Sequence, residues 1–95
     1  MGNIVAIDGI KNLANNSMLN ALHNIEEAKR YFNKKSAENY YKTCLLNAQY
    51  KMGKYHAYMG VLEQMDFESF SEMWKRDEKH MDDVTKGIEL IYREK

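Results

Sequence analysis

Between residues 41 and 62 an apolar or aromatic side chain recurs at alternating spacings of four and three: Tyr41, Leu45, Ala48, Met52, Tyr55, Met59 and Leu62. That is the a/d pattern of a helix laid lengthwise against other helices. With Leu45 at a, the positions b and f on the opposite side should be polar. They are instead Leu46, Tyr50, Gly53, Ala57 and Gly60, with Val61 beside them. A helix apolar on both faces is covered on both faces. Each of the two glycines costs a helix roughly 1 kcal/mol relative to alanine, so their presence points to something approaching closely. Two occupants suit the level of Gly53–Gly60: Phe70 and Trp74 from the same chain, or a helix from another chain. A three-helix bundle uses a, d, e and g for its own core, so the b/f location favours the other chain.

The same spacing extends to both sides. Ile4, Ile7, Ala14, Met18, Ala21, Ile25, Ala28 and Phe32 form a stripe over 3–34, interrupted by Lys11. Gly9 and the run Asn15-Asn16-Ser17 are poor helix formers. The stripe reads as one helix over 3–34, and these residues leave open a separate first segment over 1–16, with Asn16 or Ser17 capping the main helix; the IVAI run would suit a short strand, but no partner strand is visible. Asn33–Ser36 reads as the first turn, with Ser36 capping a helix over 37–64. Asp66 caps a third helix over 67–94, with Met65 and Phe70 as a hydrophobic staple and Ser69/Glu72 as a rival capping box. Its inward stripe reads Phe67, Phe70, Trp74, Asp77, Met81, Val84, Ile88 and Ile91, and its back is charged. Five acid-before-base pairs four residues apart support these helices: Glu26–Arg30, Glu38–Lys42, Glu72–Arg76, Asp82–Lys86 and Glu89–Arg93. The absence of proline agrees with long uninterrupted helices. The expected fold is all-α, a three-helix antiparallel bundle of long heptad-patterned helices forming one domain over 1–95 and associating through the second helix.

Ninety-five residues suffice for one modest core. Fourteen basic and fourteen acidic residues give no net charge, which argues against broad electrostatic capture by nucleic acid or anionic membrane. No apolar run is long enough to span a bilayer. The N-terminal stretch has no basic region and an early Asp8, unlike a signal peptide, and Ala6 breaks the myristoylation pattern. A lone cysteine, Cys44, excludes an internal disulfide and suits a reducing cytoplasm. The abundance of Asn, Lys, Ile and Tyr fits AT-rich coding, as in a low-GC bacterium or its phages.

Chemistry finds little purchase. Each helix carries one histidine (His23, His56 and His80). His23-x-x-Glu26 and Asp77-x-x-His80 each put two ligand types on one face, but no Glu-x-x-His of the di-iron kind occurs, so no metal is expected. His56 is about 18 Å along the helix from Cys44, too far to activate it as a nucleophile. No glycine-rich phosphate loop exists. Cofactor, small-molecule substrate and catalytic residues are therefore all expected to be absent. Met18, Met52, Met59, Met73 and Met81 fall at or beside the stripes and read as core. Asp77, polar at a d position, has two readings: it fixes helix register, opposite Lys51, Lys54 or a tyrosine hydroxyl of the second helix, or it sits at the rim in water.

Two functions compete. The first is a non-catalytic interaction or regulatory module, homodimeric or bound to a partner's helix, with Leu46, Tyr50, Gly53, Ala57, Gly60 and Val61 as the interface; a small regulator from a phage or mobile element suits the size. The alternative is a nucleic-acid-associated protein using the basic, tyrosine-rich first turn, where Lys34, Lys35, Lys42 and Tyr40 would meet a single strand. Glu26, Glu27 and Glu38 among these residues weigh against it.

Overall fold

A computed structural model describes residues 2–32, 34 and 39–93, with side chains from residue 6 to residue 91 of that set. Three helices make up the fold: α1 (Gly2–Tyr31), α2 (Tyr40–Met65) and α3 (Phe67–Arg93). They form an all-α three-helix bundle measuring 53 × 20 × 15 Å. Among the described residues there is no strand.

Consecutive helices run antiparallel, and the core divides into two stacked clusters. At one end Ala14 and Met18 of α1 meet Tyr55, Met59 and Leu62 of α2 and Met73 of α3. At the other, Ala21, Ile25 and Ala28 meet Tyr41, Cys44, Leu45 and Ala48, with Val84 and Ile91. Leu22 and Met52 pack against both clusters. Ala14, Ala21 and Ala28 recur every seven residues and are wholly buried, a small-residue seam on which α2 lies closely. The stripe of α2 faces inward as its spacing predicts, with Cys44 buried beside it.

Several expectations change. α1 does not break at Asn15-Asn16-Ser17, and residues 4–7 are helical. Ser17 is buried, Met18 packs among residues of α2 and α3, and the Asn20 and Asn24 side-chain amides donate to the carbonyls of Asn16 and Asn20, each at 2.8 Å. Burial of one face outweighs weak propensity. Neither Asn16 nor Ser17 is a cap. α1 ends at Tyr31, three residues short of 34, and α2 begins at Tyr40. Asn39 precedes it without a side-chain cap; its carbonyl accepts from Thr43 N (3.2 Å) and Thr43 Oγ1 (3.3 Å). The expected Ser36 cap, Lys35 and the Glu38–Lys42 pair lie outside the described residues, as do the side chains of Ile4 and Arg93.

The second turn is a single residue. Asp66 N donates to Leu62 O at 2.7 Å, closing α2, while Asp66 O accepts from Phe70 N at 3.0 Å, opening α3. Its carboxylate accepts from Ser69 Oγ (2.7 Å) and Ser69 N (3.4 Å). These bonds hold the Asp66 carboxyl below its ordinary range. Ser69 is thus spent on Asp66 and does not found a capping box of its own. Phe67, expected inside, is 65% exposed, and Met73 takes the buried place. Of the ion pairs, Asp82–Lys86 forms at 2.8 Å. Arg30 turns instead to Glu27 at 2.9 Å, and Arg76 turns away from Glu72 to Asp77.

Candidate interaction face

The outer face of α2 is built by the residues that its inner stripe leaves over. With Tyr41, Leu45, Ala48, Tyr55, Met59 and Leu62 committed to the core, helical geometry turns Leu46, Tyr50, Gly53, Ala57 and Gly60 to the opposite side. All five are exposed, as is Val61. Leu46 is 62%, Tyr50 60% and Val61 45% accessible. A methyl group built on Gly53 or Gly60 meets no atom within 4 Å. That removes the intrachain explanation of the glycines. Phe70 and Trp74 do not fill the groove: they stack on each other at 5.6 Å, and Trp74 meets the His56 ring at 6.0 Å. Lys54 and Lys51 place their ammonium groups 4.9 and 5.8 Å from the Tyr50 ring centroid.

The glycine that does mark a close approach is Gly87, which the sequence reading passed over. A Cβ there would lie 2.5 Å from Ile25 Cγ2. The signal was available, since Val84, Gly87 and Ile91 keep the three-and-four spacing of a core stripe. Beside it, a cleft of about 440 Å³ opens between α1 and α3, lined by Leu22, Ile25, Lys29, Lys86 and Leu90 among others.

Asp77 lies at the centre of the bundle, 1% exposed. Its Oδ2 accepts from the Tyr55 hydroxyl at 2.8 Å and from Arg76 Nη2 at 3.3 Å; its Oδ1 accepts from Arg76 Nε at 3.1 Å. Arg76 Nη2 also donates to Asn15 Oδ1. One carboxylate thereby ties α3 to α2 directly and to α1 through a guanidinium, and its partner on α2 is Tyr55, not Lys51 or Lys54. Burial, then the bond to Asp77, pushes the Tyr55 phenol above its ordinary range. His80 Nδ1 stands 3.6 Å from Asp77 Oδ1. A cleft of about 270 Å³ adjoins them, lined by Asn15, Met18, Leu19, Arg76, Asp77 and His80. Among the described residues no three His, Cys, Asp or Glu side chains cluster as metal ligands would.

At the first turn, Lys34 and Tyr40 are engaged within the chain. Lys34 Nζ sits 4.7 Å over the Tyr31 ring, Tyr31 meets Tyr40 edge-on at 5.0 Å, and the Tyr40 hydroxyl donates to Glu27 at 3.2 Å. The Cys44 thiol and the Glu27 carboxylate beside that hydroxyl push it up to about 12. Burial pushes the Cys44 thiol up, away from the thiolate a nucleophile needs. Lys42 is exposed.

Fold and faces define a three-helix bundle whose α2 leaves Leu46, Tyr50 and Val61 exposed on its outer side. No protein-family pattern, no curated protein and no solved structure matches the chain. Among the described residues, no helix is long and apolar enough to cross a membrane.

Proposed function

We propose that this protein is a non-catalytic interaction module of the cytoplasm that self-associates through the outer face of α2. The observation that carries this reading is the open glycine face. Two helix-weakening glycines with nothing near them, flanked by Leu46, Tyr50 and Val61 at 45–62% exposure, have no role in the isolated chain. A contiguous apolar seam left in water is the usual mark of a contact surface. Size and composition suit a small regulator encoded by a phage or mobile element of a low-GC bacterium. The nucleic-acid reading gains no comparable support, because Tyr31, Tyr40 and Lys34 already satisfy one another and Glu27.

Sedimentation equilibrium from low to high micromolar concentration tests the proposal. The weight-average mass should rise above 11.2 kDa towards twice that value, and Tyr50→Glu should hold it at the monomer. A wild-type monomer throughout would rule out self-association.

A further inference from the structure

The outer seam of α2 is ordered by size along its length. Along its midline the N-terminal half carries the large residues Leu46 and Tyr50 and the C-terminal half carries Ala57 and Gly60, with Gly53 between them and Val61 at the edge beside Gly60. Leu46 and Gly60 are each seven residues from Gly53, and Tyr50 and Ala57 are three and four residues from it. Resting on the self-association proposed above, we infer that two copies pair their α2 helices antiparallel, about a two-fold axis at Gly53.

In that arrangement Leu46 of each copy meets Gly60 of the other, Tyr50 meets Ala57, and the two Gly53 backbones cross at the axis. Large side chains enter the hollows that small ones leave, and the same patch serves both copies, as a two-fold contact requires. Parallel pairing sets like against like. Leu46 and Tyr50 would wedge the helices apart at one end, and Ala57 and Gly60 would leave a void at the other, losing the close packing that stabilises such contacts. Charge agrees with the antiparallel register. Lys42 lies eleven residues before Gly53 and Glu63 ten after it, both exposed. At 100° per residue both fall on the same flank of the seam, so Lys42 of one copy reaches the level of Glu63 of the other, twice by symmetry. The two Lys54 side chains flank the axis on the other side, at the water boundary, each over its own Tyr50 ring.

The area sets the strength. From Lys42 to Gln64 the seam runs about 33 Å, and at a width of about 10 Å it buries roughly 700 Å² over both copies. Stable complexes bury about 1,200 Å² or more. The dimer is therefore weak and forms in proportion to concentration.

Cysteine cross-linking tests the register. Leu46→Cys and Gly60→Cys are made separately, both at exposed positions, and wild type with its buried Cys44 is the control. Under mild oxidation at high micromolar concentration, the equimolar mixture should form a disulfide-linked dimer, whereas either variant alone should stay largely unlinked. Tyr50→Cys mixed with Ala57→Cys repeats the test at an independent pair, and circular dichroism verifies that each variant folds. The antiparallel register is overturned if each variant links to itself, or if sedimentation shows a dimer that neither mixture cross-links; self-association then stands. A monomer at every concentration with no cross-link would overturn both.

Discussion

Glycine-to-alanine substitution at four helical sites should separate into two signs, decided by what the added methyl meets. In a helix interior the change is favourable by roughly 1 kcal/mol through propensity alone. At Gly9, Gly53 and Gly60 nothing lies within 4 Å of the new Cβ, so in dilute solution each variant should gain about that amount, or about 4–8 °C in Tm for a domain of this size. At Gly87 the methyl would lie 2.5 Å from Ile25 Cγ2. Ile25 is buried and β-branched, so its Cγ2 turns aside only by leaving a strongly preferred rotamer. Overpacking of about 1–3 kcal/mol then outweighs the propensity gain, leaving a net loss of up to about 2 kcal/mol. Urea unfolding at two protein concentrations supplies the second reading. Gly9→Ala should be equally stabilising at both. Gly53→Ala and Gly60→Ala should lose their advantage at high concentration, where the wild type gains stability by associating and the variants do so less. A loss at Gly53 or Gly60 in dilute solution would refute the open face, and a gain at Gly87 equal to that at Gly9 would refute the close packing of α3 on α1.

Three further outcomes follow from the polar groups. Tyr55→Phe should cost about 1–3 kcal/mol in urea unfolding by stripping a hydrogen bond from the buried Asp77 carboxylate, and coupling in a double-mutant cycle with Asp77→Asn checks that the loss belongs to this pair. Because the folded Tyr55 phenol is held above its ordinary range, its stabilising share should be full below about pH 10 and decline above it; an alkaline stability profile unchanged in Tyr55→Phe would contradict this. Asp66 has the opposite sign. Its folded carboxyl is depressed, so its share is present above about pH 3.9 and lost as pH falls through the folded value; Asp66→Ala should lower Tm at neutral pH and flatten the acid limb of Tm against pH, while Asp66→Asn, also a good cap, should flatten that limb with a smaller loss. Fluorescence anisotropy with labelled single strands should show no submicromolar binding at low salt; such binding, weakened by salt and by Lys34→Ala with Lys35→Ala, would move the functional reading to nucleic acid.

The periodicity of the chain determined most of the architecture. A heptad stripe on each of three segments, no proline, and a strong cap at Asp66 leave little besides three helices folded back on one another, because each apolar stripe must find a partner within a short chain. The inner and outer faces of α2 were equally legible, since helical geometry turns two sets of positions apart whatever packs on them. Tertiary structure decided what local sequence could not. Asn15-Asn16-Ser17 reads as a break until Ser17 and Met18 are seen buried, where packing outweighs propensity. Tyr55 emerged as the partner of Asp77 only when the vertical register of α2 against α3 was known. The glycines make the point most sharply: four inside helices look alike in sequence, yet Gly9, Gly53 and Gly60 face open space and Gly87 faces Ile25. A glycine records that a side chain is absent, and only the neighbouring helix tells what, if anything, occupies its place.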